Sequence, residues 1–236
     1  MQNIPDGMKL NVGCGRFPCA GTDWINVDAS EGVETFMGRL GGEYHFRRAA
    51  GHDMPFIEDG SVKLVYSSHL IEHYPRESAA GVYGASVLTL LAEWRRVLCE
   101  GGEVWIATPD LLEVANRVMS EPGHREDWLR ILFGHQASEH DHHLWLYDRQ
   151  QLGALLVDSG FWPCGQFSTF VCNPDGEGMD CAGGWCSDDW GEQCPFSLRI
   201  RARRRGDMAE RQVTFDTATV PVDAEGRAFD PEGDNL

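Results

Sequence analysis

Lysine is scarce in this chain, and no apolar stretch approaches the roughly 20 residues that cross a bilayer. A charged-then-apolar leader is also missing: the chain begins MQNIPDGMKLNVGCG and enters a strand almost at once. A cytoplasmic protein with no membrane contact is expected. Positive charge is in deficit, with 20 basic against 37 acidic side chains and a net charge of -17. Such a surface repels phosphate backbones, so no nucleic-acid partner is expected. The one dense basic run, Arg199, Arg201, Arg203, Arg204 and Arg205, alternates along a strand pattern and reads as a solvated or edge-strand face. No internal repeat is present, and the sequence says nothing of oligomeric state.

Among the eight cysteines no Cys-x2-Cys knuckle occurs. Cys172, Cys181, Cys186 and Cys194 are separated by nine, five and eight residues in a loop over 172–194. Structural zinc usually requires the shorter knuckle, so idle reduced thiols and no metal are expected there. Trp185 and Trp190 in the same loop either wall an acceptor or pack against a lid. Cys14 lies in a glycine-rich turn and Cys99 at a helix end. An extracellular disulfide framework does not fit a leaderless chain with a large core.

What is present is enough for one α/β domain: 236 residues, 42% of them hydrophobic. Residues 8–12 form a short apolar run entering Gly13-Cys14-Gly15, and WINVD at 24–28 is a second strand. The irregular stretch 29–52 is read as a helix, and SVKLVYSS at 61–68 as a buried strand. Val87, Leu88, Leu91, Trp94, Val97 and Leu98 recur at helical intervals, predicting a helix over 83–98 stopped by Gly101-Gly102. A strand at 103–110 follows. Leu152, Leu155, Leu156 and Phe161 mark another helix, stopping at Gly160, and strands are expected near 165–171 and 196–203. This alternation predicts a doubly wound, mostly parallel α/β sheet. The domain is read as 1–206, with a lid insertion near 121–147, and an acidic extension over 207–236.

A glycine turn after the first strand lets the backbone approach a ligand, and Asp28, closing the second strand, can accept both hydroxyls of a ribose. A purely structural turn is the alternative. Pro18 stands where a dinucleotide pattern wants its third glycine, and no Walker lysine follows. LNVGCG, WINVD, HDMPFIEDGSVKLVYSSHLIEH and LAEWRRVLCEGGEVWIATPD in this order resemble class I, Rossmann-like S-adenosylmethionine-dependent methyltransferases. The likeness is to a bacterial small-molecule subgroup and runs over roughly residues 8 to 161. It implies a seven-stranded sheet, S-adenosylmethionine as cofactor and S-adenosylhomocysteine as product. It also implies that Gly13 and Gly15 line the methionine moiety and that Asp28 holds the ribose. Asp53 and the Met54 backbone would then meet the adenine amino group. Ser67, Ser68 and His69 would face the sulfonium and the acceptor. Asn11 stands where many members carry an acidic residue, though Asn also occurs in the subgroup, and Phe17 replaces a third glycine.

Methyl transfer from a sulfonium needs an in-line nucleophile, and a base only if the acceptor must lose a proton. His69, Glu72 and His73 share a face if helical. His69 is the candidate base, against a structural role at a helix start, and Glu72 with His73 reads as a mutual structural pair. His135, His140, His142 and His143, beside Glu139 and Asp141, lie where a lid covers the acceptor. They either bind metal, act as acid or base, or only contact solvent and backbone. The subgroup's lid Gln and His are matched by Gln136 and His143, and His143 is the second catalytic candidate. Trp145 and Tyr147 stand beside it. Methyl transfer to a small molecule leads. The alternatives are transfer or cyclisation of the aminocarboxypropyl arm, releasing methylthioadenosine, and a non-catalytic cofactor-binding partner subunit.

Overall fold

Every position of β1 (Lys9–Val12) is buried, as a central parallel strand covered on both faces must be. Leu10 and Val12 point into the main core, which also holds Val27, Val65, Leu91, Trp94 and Ile106. On the opposite face Cys19, Trp24, Leu64, Tyr66 and Trp105 form a second cluster. The computed structural model describes residues 7–40, 44–77, 84–166 and 196–206. The thiol-bearing loop over 172–194, with Trp185 and Trp190, and the acidic extension over 207–236 lie outside the described residues.

The other strands are β2 (Trp24–Asp28), β3 (His45–Arg48), β4 (Val62–Ser68), β5 (Leu98–Pro109), β6 (Phe161–Gly165) and β7 (Ser197–Arg204). They form one seven-stranded sheet in the order β3-β2-β1-β4-β5-β7-β6. The first five are parallel, and β7 runs antiparallel to both β5 and β6. The chain winds outward from β1 to β3, then returns to start β4 on the other side of β1. That reversal opens a crevice at the carboxyl ends of β1 and β4, the place where open α/β sheets take ligands.

The helices are α1 (Glu31–Leu40), α2 (Val87–Val97), α3 (Leu111–Ser120), α4 (Arg125–Phe133) and α5 (Arg149–Asp158). Ser86 caps α2 by accepting from the Thr89 N–H, and the helix buries Val87, Leu90, Leu91, Trp94 and Val97. Each such side chain contributes roughly 1.5–3 kcal/mol. Between α3 and β7, Val114, Trp128, Ile131 and Phe196 form a third cluster that seats α3 and α4 beside the sheet.

Several expectations are corrected. Residues 29–52 are not one helix: α1 ends at Leu40, and His45–Arg48 add an edge strand beside β2. Its three exposed positions carry His45, Arg47 and Arg48, polar groups that suit an edge and hide its strand character from a hydrophobic pattern. The α2 helix stops at Val97 rather than at Gly101-Gly102. Leu98 is already extended (φ -68°, ψ 138°) and pairs with Val62, so Cys99 sits on β5. Gly101 adopts a left-handed φ of 70° inside that strand, next to a register shift. β6 starts at Phe161 rather than near 165, because the Gly160 stop (φ 82°) turns straight into the sheet. β7 is not an edge: it lies between β5 and β6. Its arginines are engaged, Arg201 with Glu103 at 2.9 Å and Arg204 with the Leu98 carbonyl. α3 was not foreseen from the sequence, although Asp110 caps it by accepting from the Leu112 and Glu113 N–H groups.

Candidate active site

The turn after β1 is built on its glycines. The Gly13 and Cys14 N–H groups both donate to the Val27 carbonyl, at 2.8 and 3.1 Å. Gly13 has φ 71°, and a Cβ there would press into the Leu70 side chain at 2.9 Å. Gly15 has φ 53°, but a Cβ on it would meet nothing within 4 Å. The backbone at Gly15 therefore borders open crevice. Asp28 closes the rim, its Oδ2 accepting from the Gly15 N–H at 2.9 Å and its Oδ1 from the Ser30 N–H at 2.8 Å. These bonds orient the carboxylate and leave it further lone pairs.

Asn11 is buried away from that rim. Its Nδ2 donates to the Phe17 carbonyl at 2.9 Å and to Asn26 Oδ1 at 3.1 Å, and Asn26 in turn holds both backbone groups of Cys19. Here Asn11 braces the turn from beneath. The Cys14 thiol is pushed far up by burial, and further by the neighbouring Asp28 charge, so it stays protonated.

The β1–β4 pairing ends at Asn11 and Tyr66. Beyond it the buried Ser67 hydroxyl donates to the Val12 carbonyl at 2.9 Å, bridging the point where the strands part. Ser68 is half-buried at the end of β4. Asp53 is exposed in the segment before β4. The Met54 N–H donates to Glu93 at 2.7 Å, and its carbonyl accepts from Arg96 at 3.0 Å.

His69 follows β4 in a left-handed conformation, φ 52°. For a residue other than glycine this marks a strained, over-determined position. Its N–H donates to the Ala107 carbonyl at 2.9 Å. The ring places Nδ1 3.2 Å from Glu72 Oε1 and Nε2 3.0 Å from Ser197 Oγ, with Phe196 edge-on at 5.7 Å. Glu72 is fully buried, and its Oε2 accepts from the Thr108 hydroxyl at 3.0 Å. Burial alone would raise the Glu72 pKa. The close approach of His69 and the charges of His69, His143 and His73 outweigh it and hold the carboxyl well below the usual range. Glu72 and His73 are therefore not a simple mutual pair, and they sit on a single 3-10 turn rather than an α-helix. His73 Nδ1 instead bonds the His142 carbonyl at 3.0 Å.

Of the lid histidines only His143 joins this group, with Nε2 4.0 Å from Glu72 Oε1 and its side chain 9% exposed. Burial lowers its pKa, against the pull of Glu72. His135, His140 and His142 are exposed, as is Gln136. The 143–145 segment is docked by the Leu144 and Trp145 N–H groups, which both donate to the Glu72 carbonyl, at 2.7 and 3.2 Å. Trp145 is partly exposed with the Arg76 guanidinium over its ring, whereas Tyr147 is fully buried. Thr108, Phe196 and Ser197 had no local sequence signal, since each reaches His69 or Glu72 only through the sheet. A cavity of about 620 Å³ bordered by Thr22, Met37 and Phe46 lies beside α1 and β3, away from this crevice.

The family model described as "Methyltransferase domain" matches residues 10–106. Among solved structures the chain is similar to a SAM-dependent methyltransferase from Thermotoga maritima (14% identity, 86% of this chain and 84% of that one, TM-score 0.51). One from Methanosarcina mazei matches at 12% identity, 86% and 94% coverage and TM-score 0.53. A third, from Mesorhizobium loti, matches at 18% identity, 85% and 94% coverage and TM-score 0.50. No curated protein matches the chain. No helix among the described residues is long and apolar enough to cross a membrane.

Proposed function

We propose that this chain, an S-adenosylmethionine-dependent transferase that carries the methyltransferase domain, delivers the methyl group to a small-molecule acceptor held beside His69. The observation that carries the reading is the His69–Glu72 pair at the carboxyl end of β4, one residue from the Leu70 side chain that packs on Gly13. The residues fit the cofactor. Gly15 borders open space, and Asp28 presents an oriented carboxylate for the ribose hydroxyls. The Gly13–Gly15 backbone would take the methionine end and Asp53 the adenine amino group. Bound there, the cofactor supplies an electrophilic methyl on a sulfonium.

The acceptor side is built from the chain's own groups. Glu72 Oε1 faces His69 Nδ1 at 3.2 Å and favours the proton on that nitrogen, which leaves Nε2 as the atom to receive a proton. The Ser197 hydroxyl, 3.0 Å from Nε2, stands where an acceptor O–H or N–H would donate. When His69 takes that proton, the buried carboxylate stabilises the imidazolium. Thr108 keeps the carboxylate in place. Phe196 packs edge-on against the ring, which stays 23% exposed and open to an acceptor. His143 touches the pair only through Glu72, and its role is to support that carboxylate.

A small acceptor is supported by the net charge of -17, which provides no broad cationic track for a polyanion. The test is product analysis with purified protein, S-adenosylmethionine and a panel of small hydroxyl and amine acceptors. Acceptor-dependent S-adenosylhomocysteine is the expected product. Methylthioadenosine instead would mean that the aminocarboxypropyl arm is used. Turnover only on a nucleic acid or protein would refute the small-molecule reading.

A further inference from the structure

We infer that Glu72, His73 and His143 form a binding site for a divalent first-row transition-metal ion, with zinc as the best fit. The sequence offers metal ligands only within the 135–143 cluster, because these three residues come from two distant segments, a turn after β4 and the stretch that carries His143. The fold brings one ligand atom of each to within 4.8 Å of the others. The two imidazoles approach edge-on, with centroids 4.8 Å apart and an interplanar angle of 80°.

Three features favour an ion over a bare charge cluster. Glu72 is wholly buried, and Oε1 has ion-pair neighbours but no hydrogen bond of ordinary geometry. Its other oxygen is held by Thr108, so Oε1 is the one turned to the imidazoles. His73 Nδ1 is bonded to the His142 carbonyl at 3.0 Å. That fixes the proton on Nδ1 and leaves Nε2 as a bare lone pair, the outer-shell arrangement of metal-bound histidines. Finally, the lid that brings His143 is tied to Glu72 itself, through the Leu144 and Trp145 N–H bonds to its carbonyl.

The donor set selects the ion. Two imidazole nitrogens and one carboxylate oxygen suit zinc, cobalt or nickel, whereas magnesium and calcium prefer all-oxygen shells. Zinc bonds to nitrogen and oxygen are about 2.0–2.2 Å long, so tetrahedral ligands stand roughly 3.4 Å apart. The cluster therefore needs to contract by ~1 Å, within reach of small rotations of His73 and the docked lid. Three protein ligands leave a fourth position open to water or an acceptor oxygen.

The experiment uses the full chain stripped with chelator, then titrated with zinc against a chromophoric competitor, and with cobalt followed by visible absorption. Binding does not depend on turnover, so this outcome is separate from that of the methyl-transfer reading. One zinc per chain is expected, with affinity falling ~10-fold or more in His73→Ala and in His143→Ala. His124→Ala, an exposed histidine elsewhere, serves as the control. If His143→Ala does not fold by circular dichroism, His73→Gln decides. No stoichiometric binding to the parent chain overturns the site. So does zinc affinity unchanged in the His73 variants, or a thiolate-to-cobalt charge-transfer band, which would move the ion to cysteines.

Discussion

His69 Nδ1 lies 3.2 Å from Glu72 Oε1, and the residue that makes this contact has a left-handed backbone. The two facts belong together. The chain must leave β4, drop the Leu70 side chain onto Gly13 and turn at once into the 3-10 turn at Ile71–His73. A positive φ at position 69 accomplishes that reversal in one residue and swings the ring toward the carboxylate. Local strain of this kind costs about 1–3 kcal/mol, and the hydrogen bonds to Ala107 and Ser197 help to hold it.

The substitution that separates the ring from the backbone is His69→Asn. Asparagine tolerates a left-handed φ better than most residues but offers no base. Turnover should fall roughly ten-fold or more, while calorimetric affinity for S-adenosylhomocysteine stays near that of the parent. Unchanged turnover in the folded variant would remove His69 from the chemistry.

Asp28→Ala should weaken S-adenosylhomocysteine binding by about 1–3 kcal/mol, the scale of lost charge-assisted hydrogen bonds. Part of the loss comes through the Gly15 N–H, which Asp28 anchors. Titration calorimetry on the folded variant checks this, and an unaltered Kd would place the ribose elsewhere.

Arg96 ties the 54–59 segment to α2, donating to the Met54 and Ile57 carbonyls, to Glu93 and to Asp59. Its hydrogen bond with Glu93, against a smaller opposing effect of burial, lowers the Glu93 pKa. For a carboxyl depressed in the fold, the stabilisation is fully present above its unfolded pKa of about 4.3 and is lost as pH falls through the lower folded value. Glu93→Gln should therefore cost about 1–3 kcal/mol at pH 7, measured by urea unfolding. The gap to the parent should narrow below about pH 4. A gap that stays constant on acidification would count against the pairing.

Gly134 closes α4 at φ 78°, and a Cβ there would overlap the Asp141 carbonyl. Gly134→Ala should loosen the 134–145 segment and carry His143 away from Glu72. Hydrogen exchange should quicken at the His143, Leu144 and Trp145 amides, which bond to Phe133 and Glu72. Protection equal to that of the parent would show that the lid does not depend on this turn.

Much of the turn after β1 was legible in the sequence because its determinants are local. A strand, two glycines and an acidic residue ending the next strand lie within twenty residues, and β1, β2 and the Gly13–Asp28 rim appear where that pattern put them. Periodicity likewise located α2 and α5. It failed at His45–Arg48, where an edge strand of polar residues carries no alternating apolar signal. It also failed at Leu98, where a helix passes directly into a strand without a breaker.

The surroundings of Glu72 were decided by tertiary structure. His69 and His143 were visible as candidates, yet nothing in their spacing says that a buried Glu72 joins them, or that His135, His140 and His142 stay exposed. Nor does the sequence say that the Met54 N–H bonds to Glu93, thirty-nine residues away. Thr108, Phe196 and Ser197 reach the same site along β5 and β7. Short-range pattern specifies the turn that passes a cofactor, because backbone geometry is set by neighbouring residues. Which side chains converge on a buried carboxylate depends on sheet order and lid docking, and these are set by the packing of the whole core.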